Sequence, residues 1–306
     1  MLADQIRTGA FQRAIAATVK PGDSVADFGC GTGILSFFAA RAGAAKVYAI
    51  DSSPIIRAAN RVAVANSFSA LTFLEGKDIS LPEPVDVLVS EWMGHFGFKE
   101  PMFSPLIKLR DRSLRPGGIM IPRRISFRAA LVGDERLHED LSYFRGRPWG
   151  VDFSPLAEWA FSQTPVRRFS DAQLLPGEIH LGDLEMTTCS SQPPILEGSY
   201  VPQIEAQVFG IAGWFDADLS ERESFSTGPR APATHWHQVF FPIPHPVTIK
   251  PGMNVAVRIQ PFEVAGANNL HWRWRLAADD KTIDMDDLTY QLWLRSRDKP
   301  IVSRPD

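Results

Sequence analysis

Two cysteines in 306 residues, Cys30 and Cys189, are too few for a disulfide framework, and no transmembrane-length apolar run or charged-then-apolar leader is found. These shortages exclude a disulfide-stapled secreted scaffold and a helical membrane protein, and make the cytoplasm the expected compartment. Charge of one sign is also missing. The 32 basic residues stand against 35 acidic ones for a formal charge of −3, which excludes the broad positive field of a general nucleic-acid binder but not a local patch. Internal repeats, low-complexity tracts and long linkers are absent. What remains is a chain 44% hydrophobic, long enough for one large domain or two. Its 24 arginines against 8 lysines, with abundant alanine, suit a GC-rich bacterial genome and say nothing about fold.

Over the first 122 residues, apolar stretches at Ser24 to Phe28, Lys46 to Ile50, Leu71 to Leu74, Val85 to Ser90 and Gly118 to Ile121 read as strands. Between them, Ile34 to Ala42 and Ile55 to Asn66 are long enough for crossover helices, with Pro54 suited to a first helical turn. Nearly continuous apolarity predicts parallel strands buried on both faces. After Pro122 the pattern changes to period two. Met253, Val255, Val257 and Ile259 alternate with polar or small residues, as do Leu270, Trp272, Trp274 and Leu276 with His271, Arg273 and Arg275, which predicts half-buried antiparallel strands. Residues 135–160, with Leu137, Leu141, Phe144, Trp149 and Phe153 among charges, prolines and glycines, read as a partly helical insertion.

Asp27-Phe28-Gly29-Cys30-Gly31-Thr32-Gly33 falls where the first strand meets the first helix, and Asp51 closes the second strand. Gly29, Gly31 and Gly33 let the backbone turn tightly against a ligand, and a carboxylate ending the next strand can accept two hydrogen bonds from a ribose diol. The Gly-x-Gly-x-Gly spacing differs from the Gly-x-Gly-x-x-Gly of dinucleotide binders and suits a nucleoside without pyrophosphate, such as S-adenosylmethionine. A glycine turn with no ligand and a nicotinamide site are the alternatives.

Ser90-Glu91-Trp92-Met93-Gly94 places a carboxylate at the same sheet edge, and Glu100 follows nine residues later. With the Asp27-to-Gly33 loop, the Pro116-Gly117-Gly118 turn and the downstream Thr234-His235-Trp236, all in order, the chain resembles the protein arginine methyltransferase family over nearly its whole length. Met1 to Thr8 is similar to the segment preceding the fold in that family. The resemblance implies an α/β fold: a Rossmann-like S-adenosylmethionine-binding domain over 1–122, then a β-barrel-like substrate domain over 123–306. A helical dimerisation arm around 135–160 in the latter implies a homodimer. It implies methyl transfer from S-adenosylmethionine to a terminal guanidino nitrogen of arginine. A guanidinium is protonated and delocalised, hence a poor nucleophile, and two carboxylates matching its fork can orient and polarise it. By resemblance Glu91 and Glu100 are that pair, with one partly protonated when no substrate separates them. His235 and Asp4 complete the catalytic set, hydrogen-bonded across the two domains, the carboxylate raising the imidazole pKa. Arg7, Asp27, Gly29, Gly31, Gly33, Asp51, Ser52 and Asp78 are the implied cofactor residues, with Arg7 on the methionyl carboxylate, Asp51 on the ribose and Asp78 on the adenine amine. Met1, Trp92, Met102 and Trp236 are the implied substrate-side residues. His235 and His237 invite a metal-pair reading, but no further Cys/His cluster supplies the remaining ligands, so no metal is expected.

The chain departs from the family at several points. A helix with two tyrosines that usually precedes the Met1-to-Thr8 segment is not seen, His95 stands where tyrosine is usual, Asp78 stands where glutamate is usual, and no accessory recruitment domain is evident. These departures favour free L-arginine in bacterial secondary metabolism over protein arginine as the acceptor. Two other functions compete: a small-molecule N- or O-methyltransferase of the same fold, and a non-catalytic nucleic-acid-binding module using Trp272, Arg273, Trp274 and Arg275. Strict alternation separates those tryptophans and arginines onto opposite faces, which weighs against base stacking.

Overall fold

The computed structural model describes residues 2–98, 100–264 and 269–288. Met1, an expected substrate-side residue, lies outside them. The chain divides into two compact units, one of residues 1–127, 182–193 and 214–237, the other of residues 128–181, 194–213 and 238–306.

The first unit begins with helix α1 (Gln5–Thr18), capped by Asp4, whose carboxylate accepts from the Arg7 backbone N–H at 2.9 Å. Arg7, Ala10, Phe11, Ala14 and Ile15 are its buried residues, the three-and-four spacing of one helical face. Strands β1 (Ser24–Phe28), β2 (Lys46–Asp51), β3 (Leu71–Glu75), β4 (Val85–Val89) and β5 (Leu114–Ile121) form a parallel sheet in the order β3-β2-β1-β4-β5. Helices α2 (Ile34–Arg41) and α3 (Ile55–Ala65) make the crossovers, Pro54 being the N-cap of α3, and α4 (Phe103–Ser113) leads into β5. In this order the chain winds one way from β1 through β3 and the other way from β4. The strand ends between β1, β2 and β4 therefore open a crevice, the usual ligand position in such sheets.

Burial on both faces holds for β1, which is wholly buried, and nearly so for β2 and β4. It fails for β3, where Thr72 and Glu75 are exposed, because β3 is an edge strand. The Pro116-Gly117-Gly118 turn is a bulge inside β5, where the pairing steps from Val85 with Leu114 to Val87 with Ile119 and Gly117 adopts φ 75°.

Beyond β5 the strands are β6 (Arg124–Val132), β7 (Val166–Arg167), β8 (Ile179–Glu185), β9 (Leu196–Tyr200), β10 (Ala206–Asp218), β11 (Ser224–Ser226), β12 (Gln238–Ile249), β13 (Val255–Phe262), β14 (His271–Ala278) and β15 (Lys281–Asp286). One sheet runs β7-β12-β10-β6-β8, with β11 paired to β10, and another runs β15-β14-β13-β9. The antiparallel, barrel-like second part follows the Rossmann-like one, as its period-two sequence predicts. In β14, Trp272 and Trp274 are fully buried while Arg273 and Arg275 are exposed. The Trp274 indole N–H donates to the Pro242 carbonyl at 2.8 Å, and both indoles pack against Phe241. Core-bound tryptophans cannot stack bases, which removes the nucleic-acid surface expected as an alternative.

Residues 135–160 include α5 (Glu135–Ser142) and most of α6 (Ala157–Phe161). Leu137 and Leu141 pack onto Val132, Phe169, Ala212 and Phe240 of their own unit. Phe144 meets Trp159 edge-on at 6.3 Å, whereas Trp149 is 95% exposed in a left-handed backbone conformation, φ 55°. Of the apolar residues named in this insertion, Trp149 is exposed, along with the nearby Tyr143 and Val151. Among the described residues no helix is long and apolar enough to cross a membrane.

Candidate active site

Every described site residue lies in the first unit. At the carboxyl end of β1 the chain turns through Gly29, Gly31 and Gly33 at φ 77°, 54° and 86°, conformations that a side chain rarely adopts. A Cβ on Gly29 would collide with the Met102 methyl, and one on Gly31 would meet nothing within 4 Å, so the loop leaves open space on that side. The Asp51 carboxylate accepts the Gly31 N–H at 2.8 Å through one oxygen, and the Ser53 N–H and hydroxyl through the other. A cavity of about 210 Å³ opens here, lined by Phe28, Gly29, Ile50, Asp51, Ser52, Gly76, Lys77, Pro101, Met102 and Pro105. Beneath the loop Asp27 is buried, and that burial pushes its carboxyl up to about 6 although the Ser36 hydroxyl, donating at 2.6 Å, opposes the rise. The other Asp27 oxygen and the Arg7 Nε are both buried without a hydrogen-bond partner. A largely apolar slot with one carboxylate at its rim, and unpaired polar atoms beneath, fits a nucleoside carrying a charged amino-acid tail.

Beside it, Glu91 follows β4 and is buried against Arg7, with Arg7 Nη2 donating to Glu91 Oε2 at 2.8 Å and both side chains at most 5% exposed. Burial pushes the Glu91 carboxyl up to about 7; Arg7 pulls it back and nearby Glu100 adds to the rise. Glu100 lies at the surface end of the same loop, its carboxyl also raised by partial burial and lowered by His95. Asp4 joins the third segment: its Oδ2 accepts both the His235 backbone N–H at 2.9 Å and the His235 Nδ1–H at 2.8 Å. Both members of this pair belong to the first compact unit, although His235 falls in the sequence segment expected to form the second domain. Burial lowers the His235 pKa, outweighing the opposing pull of Asp4, which reverses the expected direction. Trp236 next to it is buried, stacked on Phe225 at 5.4 Å, with its indole N–H on the Met93 carbonyl at 2.6 Å.

Three expected residues stand elsewhere. Asp78 does not line the cavity; it is 82% exposed and paired with Arg112 at 2.7 Å, since the short turn after Gly76 points it to solvent. Trp92 does not form a substrate wall; it is fully buried against Phe98 and Phe103, because the loop folds its apolar residues inward. Met102 lies over Gly29 at the nucleoside cavity and not on the acidic loop. Residues missed by the sequence reading include Pro101, Pro105 and Lys77 at the cavity and Ser36 beneath it, while His95, noted from sequence as a departure from the family, donates its Nδ1–H to the Trp236 carbonyl at 2.9 Å. Only Pro105 carried a signal, as a proline in the first turn of α4.

A Rossmann-like sheet with this cavity beside a buried carboxylate defines a class I S-adenosylmethionine-dependent methyltransferase. A family model described as the arginine methyltransferase oligomerization subdomain matches residues 124–273, and one described as ribosomal protein L11 methyltransferase matches residues 8–96. Protein arginine N-methyltransferase 1 of Schizosaccharomyces pombe is 34% identical over 265 residues, covering 82% of this chain and 77% of its own length. The Trypanosoma brucei PRMT1 enzyme–prozyme heterotetrameric complex with AdoHcy superimposes with a TM-score of 0.83 at 27% identity, covering 94% of this chain and 95% of that one. Arabidopsis thaliana protein arginine methyltransferase 10 shares the fold, with a TM-score of 0.79 at 24% identity over 94% of this chain and 96% of its own. The chain belongs to the protein arginine methyltransferase family, and its enzyme class is that of the S-adenosylmethionine-dependent arginine N-methyltransferases.

Proposed function

We propose that the chain methylates a terminal guanidino nitrogen of arginine in proteins or peptides, with Glu91 and Glu100 holding the guanidinium between them. The observation that carries this reading is the buried Glu91, set against Arg7 on one side and in electrostatic reach of Glu100 on the other. The cofactor, when bound, supplies an electrophilic sulfonium methyl. Asp51 and Ser52 take the ribose, Asp27 with its glycine loop shapes the approach, and Arg7, with one nitrogen unpaired, takes the carboxylate of the amino-acid tail. The two glutamates draw positive charge toward the nitrogens they bind. That leaves the remaining nitrogen's electron pair available and holds it in line for transfer. A proton must leave as the methyl arrives. His235, whose Nδ1–H is committed to Asp4 and whose burial keeps it neutral near pH 7, offers Nε2 as the acceptor.

The division of labour between a cofactor domain over 1–122 and a substrate domain over 123–306 is part of this proposal. So is a homodimer formed through residues 135–160, supported by exposed Trp149, Tyr143 and Val151 within the oligomerization match. Cytoplasmic residence is supported by both cysteines being free. The acceptor follows the names of the relatives, and one assay tests it. Purified protein with S-adenosylmethionine is offered arginine peptides, free L-arginine and unrelated amines, and products are weighed by mass spectrometry. A mass gain of one methyl replacing one hydrogen on peptide arginine supports the reading. Methylation of free L-arginine alone would replace the acceptor, and methylation of the other amines alone would refute the arginine site.

A further inference from the structure

His95 lies at the tip of the acidic loop, between Glu91 and Glu100. The loop closes on itself there through reciprocal backbone hydrogen bonds between Gly94 and Gly97 at 2.9 and 3.0 Å, and Phe96 and Phe98 anchor it on Phe127 with ring centroids 5.5 and 5.3 Å apart. A carbonyl can only accept, so the 2.9 Å contact with the Trp236 carbonyl fixes the proton of His95 on Nδ1. Trp236 returns a hydrogen bond to the Met93 carbonyl at 2.6 Å, two residues before His95. The acidic loop and the Thr234–Trp236 loop are therefore tied by two crossed bonds, and the adjoining His235 is tied to Asp4.

We infer that His95 is a positioning residue for the paired glutamates: donating through Nδ1 to the Trp236 carbonyl, it locks the loop that carries both Glu91 and Glu100. The inference rests on the reading of Glu100 as a guanidinium ligand. Glu91, Arg7 and Asp4 are the other charged groups around this junction, with the His235 ring tilted 34° against Trp236 at 4.2 Å. Glu91 and Arg7 are paired with each other and Asp4 with His235; burial raises the Glu100 carboxyl and His95 opposes that rise, while Glu91 and Glu100 disfavour each other's ionised form. A charged His95 favours the ionised Glu100, the form that binds a guanidinium.

Two variants separate the tie from the charge. His95→Asn keeps an N–H donor where Nδ1 stood and removes the ring charge; His95→Ala removes both. For His95→Ala, KM for an arginine peptide should rise about tenfold, with S-adenosylmethionine affinity within about twofold. His95→Asn should keep the wild-type kcat within about threefold. In ¹³C-carboxyl NMR titrations of ¹³C-glutamate-labelled protein, the Glu100 signal should titrate at higher pH in both variants than in wild type. ¹⁵N-histidine spectra should show the Nδ1–H tautomer at His95. An unprotonated Nδ1, an unmoved Glu100 titration in the well-folded His95→Asn protein, or unchanged peptide KM in His95→Ala would each overturn the inference. Glu100→Gln serves as the separate check. Full activity there would refute the guanidinium reading, while the Glu100 titration in wild type and His95→Asn would still decide whether His95 acts on Glu100.

Discussion

Glu91 is a carboxyl whose burial pushes it up to about 7, held against Arg7 and facing Glu100, so near neutral pH its proton is finely balanced. Guanidinium binding needs the carboxylate, hence kcat/KM for an arginine peptide should fall as pH drops below about 7. Stability runs the other way. A carboxyl raised on folding stabilises the ligand-free protein at low pH, and that contribution is lost as pH rises through about 7. Thermal unfolding of ligand-free protein from about pH 5 to about pH 9 should show wild type losing ground to Glu91→Gln as pH rises, and parallel curves would show the carboxyl is not raised. Asp51→Ala should weaken S-adenosylmethionine binding by calorimetry, and unchanged affinity would move the ribose site elsewhere. At this scale the sequence showed the residue types but not all their surroundings. The Gly29-to-Gly33 loop and Asp51 were legible because backbone geometry demands them at fixed spacing. The committed pairing of Asp78 with Arg112 and the burial of Trp92 depend on tertiary packing that spacing does not encode.

Helix α1 brings Arg7 to Glu91, and its position is held by Asp4, which caps the helix with one oxygen and grips His235 with the other. Removing a cap of this kind typically costs about 1 kcal/mol. Asp4→Ala should therefore lower the melting temperature and speed hydrogen exchange over the first turn of α1. Asp4→Asn and His235→Ala should each slow turnover less than Glu91→Gln, with the double variant little worse than the worse single one. If the two losses simply multiply, the residues act independently. The central strands of the parallel sheet were legible from their apolar runs, as was β14 from its alternation. α1 and α4 were not assigned from sequence, since Arg7 and Arg110 interrupt their apolar faces; Arg7 is buried donating to Glu91, and Arg110 donating to the Met186 carbonyl and to Asp111 beside it.

For the whole molecule, Trp149 should form part of the contact between two copies. Trp149→Ser should shift a sedimenting dimer toward monomer without lowering the melting temperature of the protomer, and wild type sedimenting only as a monomer at micromolar concentration would exclude the dimer. In the proposed mechanism the two glutamates act together on one guanidinium. This is tested by measuring turnover of an arginine peptide and S-adenosylmethionine affinity side by side for Glu91→Gln and Glu100→Gln. Loss of such an electrostatic stabiliser should cut turnover by about 10²- to 10³-fold in each variant while cofactor affinity stays within a few-fold, whereas near wild-type turnover in both would contradict the paired-carboxylate mechanism.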